Sequence, residues 1–114
     1  MGMTLYHPKI GFPSSFRRPV GTFKTLPGRH AQARATQKGF VIPESINLND
    51  FSIVEIEMVD DRLVKIVIRG EYDEYDDICM AIMPKGGIMF VKTAWLNHWQ
   101  DTHKTLDRSR YGRP

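Results

Sequence analysis

The sequence predicts an α+β fold, one N-terminal helix packed on a four-stranded antiparallel β-meander, flanked by an irregular basic arm and a basic tail. Three observations carry this. A single segment, "PGRHAQARATQKGF", has helix composition with a proline at its start and a glycine at its end. Four apolar runs follow it, two of them alternating with period two. The connections between those runs are too short for crossovers, so consecutive strands must be antiparallel. One domain is expected for 114 residues: arm 1–26, helix and sheet 27–97, tail 98–114.

Along the arm, Pro8, Pro13 and Pro19 alternate with Gly2, Gly11 and Gly21, a spacing of breakers that no helix survives. An irregular segment anchored by Tyr6, Phe12, Phe16 and Phe23 is expected. The helix is expected over 28–38. Pro27 suits a helix start, Ala31, Ala33 and Ala35 favour helix, and Gly39 is a C-cap signal. His30 and Arg34, four apart, share one face, with Ala31 and Ala35 on the adjacent one. Residues 40–50 read as a connection broken by Pro43.

In "FSIVEIEMV", Val54, Ile56 and Met58 alternate with Glu55 and Glu57; in "LVKIVIRGEY", Val64, Ile66 and Ile68 alternate with Lys65, Val67 and Arg69. "ICMAIMP" is apolar throughout, as a central strand is. "IMFVKTAW" is the fourth strand, and "DDR", "EYDEYDD" and "KGG" supply the turns. The residues after Trp95 have no clean period; a short helical turn around 97–105 and an irregular end are expected. There Asn97, Asp101, Thr105 and Asp107 have the short polar side chains that cap turns.

Charge is unevenly spread. Residues 1–43 hold seven Lys/Arg and no acid, 44–87 hold eleven acids against four bases, and 88–114 hold five bases against two acids. Clustered cations gain affinity for polyanions by releasing counterions. The same pattern also allows the basic ends to lie on the acidic middle. The lone Cys79 cannot form an internal disulfide and reads as a buried thiol. No apolar run reaches the ~20 residues of a membrane helix, and no leader is read at the start, so a cytoplasmic protein without membrane association is expected.

The chemistry-bearing residues concentrate at 92–111. In a strand, positions i and i+2 face the same way, so Thr93 and Trp95 are expected on one face with Val91 beside them. A Trp beside a hydroxyl and a Lys can stack a base while its neighbours hold phosphate; filling the core is the plain alternative. His30, flanked by Arg29 and Arg34, reads either as an ordinary surface histidine or as a general base among cations. Lys65 and Arg69 form either a cationic patch or cross-strand pairs with Glu55 and Glu57. His98 and His103 lack zinc-ligand spacing, and the acidic turn lacks the glycine and terminal glutamate of a calcium loop. No phosphate-binding loop, nucleophile elbow or Cys–His pair is present. No cofactor and no metal are expected.

"RHAQARATQKGF" followed by a meander ending in "KTAW" resembles the small microbial ribonucleases grouped with colicin D and RelE, over roughly residues 28–97. That superfamily packs an N-terminal helical part on a small antiparallel sheet and cleaves RNA without metal. Many of its members are toxins acting on tRNA or ribosome-bound mRNA. Its colicin D-type domains carry a helix histidine ahead of a glycine, matched here by His30. They also carry a Ser-x-Trp pair on a late strand, matched by Thr93-Ala94-Trp95 with threonine for serine. The family's helix lysine has no counterpart, since Pro27 stands there, and Arg29 or Arg34 would replace it.

The resemblance implies a metal-independent endoribonuclease in which the substrate's 2′-OH attacks and a 2′,3′-cyclic phosphate forms. His30 would be base or acid, Lys92, Arg34 and Thr93 would stabilise the phosphate, and Trp95 would stack a base. The tail lies outside the resemblance; read as a basic flap folding back over the sheet, it would add His103 as the second proton-transfer group and Arg108, Arg110 and Tyr111 as substrate contacts, and the cationic-patch reading adds Arg69. RNA, tRNA first, is the implied partner, with an antitoxin or immunity protein as a second. A non-catalytic nucleic-acid-binding or inhibitor protein on the same scaffold is the alternative.

Overall fold

A computed structural model describes residues 2–101. Seven strands form one mixed sheet: β1 (Met3–Tyr6), β2 (Thr22–Pro27), β3 (Ser45–Asn47), β4 (Ser52–Val59), β5 (Arg62–Glu71), β6 (Asp76–Lys85) and β7 (Ile88–His98), in the order β1-β4-β5-β6-β7-β2-β3. The helix, α1, spans Arg29–Lys38. The expected helix on a four-stranded antiparallel meander is therefore corrected. The meander exists as β4 to β7, but it is the interior of a wider sheet. β1 adds to its β4 side, and β2 joins β7 in parallel with β3 beyond it.

The arm read as irregular contains two of the added strands. Its prolines exclude helix, but β1 lies before Pro8 and β2 lies after Gly21, so only 7–21 is irregular. The connection read at 40–50 likewise holds β3 and a 3-10 turn, Leu48–Asp50. Strands this short need only a free edge to pair with.

The central turns follow the sequence closely. Asp60 and Asp61 close the β4–β5 hairpin at φ 49° and 63°, and Gly86 and Gly87 close β6–β7 at 54° and 86°. Positive φ at both central residues is the geometry that matches strand twist in a two-residue hairpin.

One face of the sheet carries the core. Ile56, Met58, Ile66, Ile68, Ile78, Met80, Ile82, Met89, Val91 and Ala94 are buried there. Ala31 and Ala35 of α1, together with Phe40, Ile42, Ile46 and Leu48, pack onto them. Phe12 and Phe16 of the N-terminal segment join the same cluster. At ten residues α1 is too short to be stable alone. It is held by those two alanines and by its ends: the Gly28 N–H donates to the Val91 carbonyl at 2.9 Å, and Gly39, at φ 76°, and Phe40 both return their N–H to Ala35. Tyr72 fixes the segment after the helix, accepting from the Val41 N–H at 3.0 Å and meeting the Phe40 ring edge-on. Among the described residues no helix is long and apolar enough to cross a membrane.

Candidate nucleic-acid interface

Position 92 decides how the site residues are distributed. β7 pairs with β6 as Val91↔Ile82 and then Thr93↔Ala81, which leaves Lys92 as an extra residue, a β-bulge. Val91 and Ala94 point into the core at 0% exposure. Thr93 and Trp95 therefore point to the opposite face, and the expectation that they share a face with Val91 is corrected. The bulge instead aligns them with Phe90. Along β7 the second face runs Ile88, Phe90, Thr93, Trp95, Asn97.

Strand registers extend this face sideways. Trp95 lies opposite Cys79, which lies opposite Arg69; Thr93 lies opposite Ala81, then Val67, then Glu55. Towards the other edge, Phe90 lies between Met83 and Leu26, and Ile88 between Lys85 and Lys24. α1 and the N-terminal aromatic residues pack on the first face; on the second face Glu55, Val67, Cys79 and Ala81 are buried, Phe90, Thr93 and Trp95 are partly buried, and Leu26 and Ile88 are exposed.

Its charges are partly committed. Lys65 and Glu57 pair across strands at 3.4 Å, as the alternation suggested, whereas Arg69 pairs with Asp77 at 2.8 Å instead of a glutamate. Arg69 also donates to the His98 carbonyl at 3.0 Å. Its guanidinium is thus a structural tie between β5, β6 and β7. Lys24, Lys85 and Lys92 are exposed, and Lys85 Nζ sits 5.0 Å above the Phe90 ring. Cys79 lies under this face, buried and free, with Asn97 Nδ2 3.8 Å from its sulfur. Burial pushes its thiol up from 9.0 to about 11, with the Arg69 charge opposing the shift and Asp77 adding to it.

A second group of candidates sits on α1. Arg29, His30, Arg34 and Lys38 are all exposed, while Ala31 and Ala35 are fully buried. His30, Arg34 and Lys38 recur every four residues, a ridge about 12 Å long on the helix surface. The helix contains no acid, and none of its cations is in an ion pair with a described residue.

The structure thus separates His30 and Arg34, on the outer side of α1, from Arg69, Thr93 and Trp95, on the second face. Lys92 is the residue between the two groups, since Gly28 bonds to Val91 and ties the helix start beside it. His103, Arg108, Arg110 and Tyr111 lie outside the described residues, as do Thr105 and Asp107. Asn97 and Asp101 are described; the Asp101 N–H closes a turn on the His98 carbonyl at 2.8 Å, and β7 runs on through Asn97 where a helical turn was expected. Phe90, Lys24 and Lys85 were not singled out from sequence. Their only signal is alternation counted from a bulge that the sequence does not mark.

Comparison with protein-family models, with curated proteins and with solved structures finds no match to this chain.

Proposed function

We propose that the protein binds RNA through the cationic outer surface of α1. The carrying observation is that α1 turns every one of its charged side chains to solvent, all of them basic, while docking through two alanines alone. Arg34 and Lys38 lie about 6 Å apart on one ridge of the helix, with Arg29 beside the start of that ridge, and these three are the proposed phosphate contacts; tRNA is the first substrate to try. Such binding is electrostatic and tolerant of sequence. Titration of labelled tRNA in EDTA tests it. Binding is expected for the wild-type chain and lost when Arg29, Arg34 and Lys38 are all changed to Gln, with the circular dichroism spectrum unchanged. Undiminished binding by that variant would reject the reading.

A second reading, metal-independent RNA cleavage, is favoured by one contact: the Gly28–Val91 hydrogen bond brings the helix turn bearing His30 next to the Lys92 bulge. An imidazole and an ammonium at one phosphate are the minimum for transfer of the 2′-OH proton and stabilisation of the phosphoryl oxygens. In this reading Thr93 and Trp95, on the other face, take no part in proton transfer. The same EDTA incubation reads it out as fragments with 2′,3′-cyclic phosphate ends, and His30→Ala is expected to slow their appearance by ~10²–10⁴-fold. Intact RNA at all protein levels would leave binding alone.

A further inference from the structure

We infer that the second face of the sheet is a stacking site for single-stranded RNA, with Phe90 and Trp95 as its two base platforms. The inference rests on the RNA-binding reading and adds a site and a substrate form to it. Three observations lead there. The bulge at Lys92 puts both aromatic rings on one face, each partly buried. The platform continues onto exposed apolar side chains, Leu26 at 55% and Ile88 at 41%. The exposed charges beside those residues are the lysines Lys24, Lys85 and Lys92; further along the same face Glu57 and Asp77 are paired with Lys65 and Arg69, Glu55 is buried, and the exposed Glu71 lies at the far end of β5. An apolar, aromatic face rimmed by lysines matches a ligand with flat bases and an anionic backbone.

The geometry also sets the form of that ligand. Phe90 and Trp95 lie opposite Met83 and Cys79, four residues apart on β6, which is about 13 Å. Successive stacked bases are only ~3.4 Å apart, so the two rings hold bases that are not neighbours. At that rise ~13 Å is about four steps, so a stacked strand of roughly five nucleotides is needed to reach both. In a duplex the base faces are already stacked on one another and cannot lie on either ring. Lys85 now occupies the open side of Phe90; on binding, a base takes that place and the ammonium moves to a phosphate. Thr93 lies between the platforms and offers a hydroxyl to the intervening ribose.

The test compares a 12-nucleotide single strand with the 12-base-pair duplex it forms with its complement. The full chain is used in a Trp99→Phe background, so that Trp95 is the only indole. The single strand is expected to quench Trp95 emission and to bind more tightly than the duplex. Trp95→Leu should weaken single-strand binding by about 5- to 150-fold while changing duplex binding less than about twofold. Trp95→Phe should retain most of the affinity. Phe90→Leu, which keeps the apolar volume, should act like Trp95→Leu. Equal affinity for strand and duplex, or no effect of Trp95→Leu, would overturn the proposal and leave the α1 reading standing. Failure to bind either RNA would remove both. A dimer in sedimentation equilibrium that Leu26→Ser dissolves, with no preference for single strands, would assign the face to a second copy of the chain and overturn the proposal as well.

Discussion

Cys79 shows how far the fold changes the chemistry of one residue. Its thiol is 1% exposed, and burial raises it from 9.0 to about 11. The folded state therefore keeps a proton that the unfolded chain gives up. This contribution to stability is fully present below pH 9 and is lost as pH rises through about 11, by up to ~3 kcal/mol. The stability gap between wild type and Cys79→Ala, measured by urea unfolding, should shrink over that range. A constant gap would mean that the thiol ionises normally in the fold. Gly70 is a second such position. A Cβ there would meet the Phe51 ring at 2.7 Å, so Gly70→Ala should destabilise the protein by about 1–3 kcal/mol and lower Tm. The sequence showed that Cys79 is buried, from the apolar run around it. It did not show the Gly70–Phe51 contact, because Phe51 reaches Gly70 only through the pairing of β4 with β5.

Among the elements, α1 was legible from its alanines between Pro27 and Gly39, β4 and β5 from their alternation, and β6 and β7 from apolar runs between short turns. β1, β2 and β3 were not, since strands of three to six residues beside prolines carry no periodic signal. They form because β4 and β7 would otherwise be open edges. The bulge in β7 was hidden for a different reason: it is one extra residue in an otherwise regular strand. That gives an asymmetric expectation for deletions. Removing Lys92 restores simple alternation and leaves Val91 and Ala94 inward, with Thr93 and Trp95 outward. This variant should fold, with Trp95 emission like that of the parent. Removing Ala94 instead drives Trp95 into the place of a side chain that is 0% exposed, and should abolish cooperative thermal unfolding. Equal damage from both deletions would mean that the bulge itself is required.

Over the whole molecule, the charge pattern read from sequence becomes a spatial one. The seven cations of 1–43 are all exposed, and three of them lie on α1. Most of the acids lie on β4 and around the turn joining β5 and β6, where Asp73 spends its carboxylate on the Tyr75 and Asp76 N–H groups. If the protein binds RNA as proposed, this separation would favour an approach with the basic side leading. Arg17 and Arg18 face solvent too, but their guanidiniums bond the carbonyls of Ser14, Phe16, Leu48 and Phe51 and so brace the N-terminal segment. Among the described residues the cations of α1 make no such bonds. If Arg29, Arg34 and Lys38 on α1 and Lys24, Lys85 and Lys92 on the second face each displace one counterion from a single-stranded stretch, the logarithm of affinity should fall with the logarithm of salt at a slope of about −4. Arg34→Gln alone should make that slope shallower by ~0.7, whereas Arg17→Gln should leave it unchanged. A slope that Arg34→Gln does not alter would place the phosphate contacts elsewhere. Base stacking is nearly independent of salt, so if Phe90 and Trp95 are base platforms, Trp95→Leu should shift the whole line down without changing its slope. Salt dependence would then separate phosphate contacts from stacking in one set of titrations.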